Sequence, residues 1–167
     1  MKSSHERTKS ARGVRRAGPP VVRVRTIKRT RLSEEPLDPR GPWSVASEKA
    51  RETAMAIAIA ALDKKALGLE ILDVAGKVDY ADYLVVMTGR SDRHAQALAQ
   101  GIEQALKDRG IRPVAIEGFP HAAWVLMDFG DVVVHVFQSE ARQLYDIEGL
   151  WLDARRLPVP SAVDSPK

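Results

Sequence analysis

Cysteine is absent from all 167 residues. That excludes a disulfide framework, a thiolate nucleophile and cysteine-ligated zinc, and it permits an intracellular compartment without proving one. Long apolar runs are absent too. The longest, AMAIAIAAL from Ala54 to Leu62, is less than half of the roughly 20 residues a membrane span needs, and charged residues stand close on both sides, so no membrane partner is expected. The opening MKSSHERTKS carries no apolar segment, which counts against an ordinary secretory signal. No internal repeat is visible.

What is present divides unevenly along the chain. Residues 1–42 hold 12 Lys and Arg against 4 Asp and Glu, which leaves 14 against 18 for the remainder, so a basic tail precedes an acidic body. Five prolines from Pro19 to Pro42 punctuate the tail, and its valines lack helical spacing. Residues 1–46 are therefore read as a basic, Pro- and Arg-rich tail without a core of its own. One reading of the tail is an arm for RNA, since clustered Arg and Lys neutralise phosphates. Others are a solubilising tail or an organellar leader, although Glu6 and the missing amphipathic stripe count against a leader. Residues 156–167 read as a second, shorter tail.

Between them, 47–155 reads as one domain. Ser47 is placed to cap a helix in which Met55, Ile59, Leu62 and Ala66 share a face, with Gly68 as its stop. Leu69–Val74 and Tyr83–Thr88 read as strands. Ser91 or Asp92 can cap a second helix with Ala95, Leu98, Ile102 and Ala105 inside, ended by Gly110. PVAIEG gives a short strand, WVLMDFGDVVVHVF two more, and Ser139 caps a last helix with Leu144, Ile147 and Trp151 buried. The order αββαββ(β)α implies an α/β (α+β) fold, a mixed sheet flanked by helices.

The hairpin from Trp124 to Phe137 raises the question of function. With a loop at Phe129-Gly130, or over Asp128 to Asp131, Met127 faces Val132, Val125 faces Val134 and Trp124 faces His135. One face is then wholly apolar: Val125, Met127, Val132, Val134 and Val136. The other mixes Trp124, Leu126, Asp128, Asp131, Val133, His135 and Phe137, a composition suited to a protein interaction patch. The alternative is that helices cover it, with Trp124 buried against Trp151 or Phe137.

Two further readings attach to the polar residues. Asp128 and Asp131, with Asp73, Asp79 and Asp82 on neighbouring segments, could supply oxygen ligands for a magnesium ion, but no Asp-x-Asp pair stands on one strand and turn or cap duties explain these residues more simply. In TGRSDRH, Thr88 to His94, backbone amides with Arg90 and Arg93 could hold an anion, yet the glycines and lysine of a full phosphate loop are missing. His94, His121 and His135 have no evident Ser or Cys nucleophile beside them. No catalytic residue, metal or cofactor is assigned.

The chain from about Leu62 to Ala154 resembles the ribosomal silencing factor, or Iojap, family. LDVAGKVDYADYLVVMTGRSDRH, WVLMDFGDVVVHVF and ARQLYDIEGLWLDA carry the resemblance, in that order. Asp92 stands where the family usually has a second serine, and Phe129 lacks the family's tyrosine hydroxyl. The resemblance implies a nucleotidyltransferase-like fold without established catalysis. It also implies binding to ribosomal protein fourteen of the large subunit, on the face where the small subunit docks, so that subunit joining is blocked and translation falls during starvation. Carried over by position, the contact residues are Trp124, Leu126, Asp128, Phe129, Gly130 and Asp131. Homodimers occur in the family, and its members are found in bacterial cytoplasm, mitochondria and plastids. An acidic body suits a basic ribosomal protein, and the basic residues 1–42 would add contacts to ribosomal RNA. The residues alone leave two other functions open: a metal-dependent nucleotidyl or phosphoryl transferase, and an RNA-binding adaptor acting through the tail.

Overall fold

The computed structural model describes residues 45–161; the expectations for the basic tail and for residues 162–167 lie outside them. Ten elements follow one another: α1 (Glu48–Asp63), β1 (Leu67–Asp73), β2 (Tyr83–Gly89), α2 (Asp92–Asp108), β3 (Ala115–Glu117), β4 (Trp124–Asp128), β5 (Val132–Gln138), α3 (Ser139–Tyr145), α4 (Ile147–Leu150) and β6 (Arg155–Leu157). The strands form one mixed sheet in the order β3-β4-β5-β2-β1-β6. Only β2 and β5 run parallel; the other neighbours are antiparallel.

Alternation along the strands splits the core in two. Ile71, Val85, Met87, Val125, Val134 and Val136 point to the side covered by α1 and α2. Leu72, Leu84, Val86, Val133 and Phe137 point to the other side, where Ala141, Ile147 and Trp151 pack. This is the period-two geometry of a pleated strand. The central strands β2 and β5 are buried on both faces, which is why YLVVMT and VVVHVF read as nearly continuous apolar runs rather than alternating ones.

The helices begin where their caps stand. Ser47 Oγ accepts from the Ala50 amide at 3.1 Å, and Ser91 Oγ accepts from the His94 amide at 3.1 Å. On α2 the expected face holds, with Ala95, Leu98 and Ile102 fully buried. On α1 it does not. The helix turns Ala50, Ala54, Ile57, Ala58 and Ala61 inward, while Met55 is only half-buried and Ile59 is 39% exposed. Alanines on the inner face let α1 sit close against α2 and the sheet, where longer side chains would hold it away. The helix also ends earlier than expected: Lys64 caps it, and Gly68, with φ +53, lies at an irregularity of β1.

The C-terminal region differs from a single helix. Asp146 adopts the left-handed conformation (φ 40), ends α3 and caps α4 by accepting from the Gly149 amide at 3.2 Å. Its φ breaks the helical path, so Leu144 is left exposed rather than buried. The helix starts after Gln138, and no side chain caps it. Beyond α4, β6 pairs with β1 and carries the sheet through Leu157.

Candidate functional site

The hairpin register is Trp124 opposite Phe137, Leu126 opposite His135 and Asp128 opposite Val133. This is two residues away from the pairing expected from sequence. The turn is Gly130-Asp131, closed by the Phe129 amide donating to the Val132 carbonyl at 2.9 Å, not Phe129-Gly130. A slip of two preserves the parity of every side chain, so both faces keep the membership read from the sequence. Gly130 has φ +88, a conformation available to glycine at little steric cost. Its amide donates to Asp128 Oδ1 at 2.8 Å, an Asx turn that fixes the tip. The Asp131 carbonyl accepts from the Asp82 and Tyr83 amides at 2.7 and 3.1 Å, which anchors the tip to the start of β2.

On the mixed face the aromatic residues form one group. The Trp124 ring stacks on Phe137 with centroids 5.1 Å apart and tilts over Tyr145 of α3 at 4.6 Å. Its Nε1–H donates to Nδ1 of His135 at 3.1 Å. His135 is 6% exposed, and burial lowers its pKa from 6.5 to about 4, so the ring is neutral at pH 7. Because Nδ1 accepts, the ring proton is assigned to Nε2. Phe137 is fully covered while Trp124 and Leu126 are half-buried. The helices thus cover the Phe137 end of this face and leave Trp124, Leu126 and Asp128 accessible along one edge. Asp131 and Gly130 are exposed at the tip, and Phe129 leans against the edge of the core on the α1 and α2 side.

The acidic residues do not converge. Asp73 accepts from the Ala75 amide at 3.2 Å, Asp82 from the Ser47 amide at 2.9 Å, and Asp128 from Gly130. Among the described residues no group of three or more His, Cys, Asp or Glu side chains is placed to hold a metal ion.

TGRSDRH is also occupied from within. Of the backbone amides that could have held an anion, those of Arg90, Arg93 and His94 donate to His94 Nδ1, Asp92 Oδ1 and Ser91 Oγ at 3.0, 2.8 and 3.1 Å. His94 Nε2 lies 2.7 Å from the Lys64 carbonyl and, with Nδ1 accepting, is the donor. His94 therefore ties the start of α2 to the end of α1. Gly89 is required here, because a Cβ would meet the Ala95 backbone nitrogen at 2.8 Å.

Sequence reading missed Arg142. Its Nη1 donates to the Gly68 carbonyl at 2.7 Å and to Thr88 Oγ1 at 2.9 Å, and its guanidinium pairs with Glu148 at 2.5 Å. It locks α3 and α4 onto β1 and β2. Partners 54 and 74 residues away leave no local signal in the sequence. Beside it opens a cleft of about 320 Å³, lined by Thr88, Ser139, Arg142, Gln143, Asp146 and Glu148, in which the one guanidinium is already matched by carboxylate.

The expected family is found by comparison with known proteins. Residues 47–167 match the family described as ribosomal silencing factor during starvation. Ribosomal silencing factor RsfS of Bacillus subtilis is 43% identical over 105 residues, covering 62% of this chain and 89% of that protein. A crystal structure of a Chromobacterium violaceum protein is 33% identical with a TM-score of 0.61, covering 70% of this chain and 97% of that one. Mitochondrial assembly of ribosomal large subunit protein 1 of Mus musculus is 34% identical over 84 residues, covering 48% of this chain and 37% of that protein. A chloroplast relative, protein Iojap of Zea mays, is 28% identical over 107 residues, 64% of this chain and 46% of that protein. With a matched region spanning the whole folded domain and a close relative covered over most of its length, the chain belongs to the ribosomal silencing factor family.

Proposed function

We propose that this chain binds the large ribosomal subunit through ribosomal protein fourteen and sterically blocks association with the small subunit, repressing translation under nutrient limitation. Family membership supports the ribosome as target. The observation that carries the binding site is the accessible edge of the hairpin. Trp124, Leu126 and Asp128 lie along one strand face, half-buried, with Gly130 and Asp131 at an anchored tip and Phe129 beside it.

Preorganisation favours binding at this edge. Trp124 is held by stacking and by a hydrogen bond before any partner arrives, so little side-chain freedom is lost on binding. A large aromatic at the centre with carboxylates at the rim fits a basic protein surface with an apolar spot. This mode of action needs no catalysis: exclusion follows from occupying the joining face. The bacterial cytoplasm is the proposed compartment, with mitochondria and chloroplasts as the alternatives that the names of the organellar relatives suggest. The homodimer implied by the resemblance is a separate proposal, read out by sedimentation equilibrium of the free chain. So is contact of residues 1–42 with ribosomal RNA, read out by the salt dependence of binding with and without them.

The test is co-sedimentation of the purified chain with separated ribosomal subunits. Binding to the large subunit alone is the expected result; binding to neither, or to the small subunit, overturns the proposal.

A further inference from the structure

The region from Leu144 to Leu152 leaves large apolar side chains in solvent: Leu144 is 77% exposed, Tyr145 47%, Leu150 69% and Leu152 79%. Their neighbours Ala141, Ile147 and Trp151 face the core, so the segment is docked and its outer side is apolar by composition rather than by disorder. Exposed apolar groups clustered this way mark interaction surfaces.

Two observations indicate that Leu144 points toward the hairpin side of α3. Arg142 reaches from α3 toward β2 and β1, to Thr88 and Gly68. Residues two apart on a helix point about 200° from one another, so Leu144 faces away from those strands, and the sheet order puts β4 on that side. Tyr145, the next residue, already lies over Trp124 of β4 at 4.6 Å. Glu140, four residues before Leu144, is exposed on the same side of the helix.

We infer that the docking surface does not end at the hairpin but continues across Tyr145 onto Leu144 and Glu140 of α3, where it takes the same basic protein partner. The occupant follows from charge. The carboxylates here are Asp128, Asp131 and Glu140, while the one cation of α3, Arg142, is turned to the sheet and paired with Glu148. A second copy of this chain would bring like charge to the same rim, and a basic surface with an apolar centre is complementary to it. The inference rests on the proposed role of the hairpin and extends its area.

The experiment compares binding of the full chain and three variants to purified large ribosomal subunits. Leu144→Glu adds charge to an exposed position, Trp124→Ala removes the hairpin aromatic, and Ile59→Glu places the same charge on α1, on the opposite side of the sheet. Melting temperature checks that each is folded. Leu144→Glu is expected to weaken binding at least tenfold, with Ile59→Glu unchanged. If Trp124→Ala weakens binding and Leu144→Glu does not, the extension onto α3 is overturned and the hairpin reading stands. Neither variant weakening binding overturns both. Weakening by Ile59→Glu equal to that by Leu144→Glu overturns the extension, since nonspecific charge then explains the loss.

Discussion

The indole Nε1–H of Trp124 donates to Nδ1 of His135 at 3.1 Å, a diagonal bond across the hairpin, since Trp124 stands opposite Phe137 and His135 opposite Leu126. The bond joins a partly accessible aromatic to a buried imidazole and makes the orientation of the first depend on the protonation of the second.

Stability should therefore fall in acid through His135. Its pKa is 6.5 in the unfolded chain and about 4 when buried, so between these values the unfolded state binds more protons and is favoured as pH drops. The contribution is fully present above pH 6.5 and is lost as pH falls through 4; the gap corresponds to roughly 3 kcal/mol. Urea unfolding at pH 7 and pH 4.5 checks it, with His135→Gln expected to lose distinctly less stability over that interval than the natural chain. Equal losses in both contradict the assignment.

Replacing Trp124 separates binding from folding. Trp124→Ala is expected to weaken ribosome binding by about 2 kcal/mol or more, the loss typical of a central interface aromatic. Stability should also fall, by about 1–3 kcal/mol, because His135 Nδ1 is left buried without its donor. Circular dichroism should still report a folded chain. Unchanged binding by the folded variant removes Trp124 from the site.

Arg142→Met should destabilise by about 3 kcal/mol, since Glu148 would remain largely buried with its partner gone. The double variant Arg142→Met, Glu148→Leu should recover part of that loss. Denaturant midpoints decide it: a double variant less stable than the single one contradicts the reading of this pair.

Gly89→Ala should cost about 1–3 kcal/mol, because the added methyl meets the backbone of Ala95 and not a movable side chain. Gly110→Ala meets nothing within 4 Å, but its φ of +77 still strains an L residue, so a smaller loss of about 1 kcal/mol is expected. Thermal melts of the two variants give the comparison.

How much of this was legible follows from what each feature depends on. Parity along a strand is local, so the two faces of the hairpin could be read although the turn was placed one residue early and the pairing was therefore off by two. The inner face of α1 could not be read from its largest residues, because close helix packing favoured Ala54, Ile57, Ala58 and Ala61 over Met55 and Ile59. Ser47 and Ser91 announced their helices because capping is a contact three residues long. Arg142 was invisible, as its partners come from β1 and β2, and the break at Asp146 needs a left-handed φ that aspartate only sometimes adopts. Within the candidate site, the residues carried over by resemblance lie on one hairpin, while Tyr145, which covers Trp124, comes from a helix that the sequence alone did not bring to it.

The most direct test of the central claim is a subunit-joining assay with purified small and large subunits, with the chain added first to the large subunit. The account predicts that the yield of joined ribosomes falls with increasing chain and is restored when Trp124→Ala replaces it. Joining that proceeds undiminished while the chain stays bound to the large subunit would contradict it.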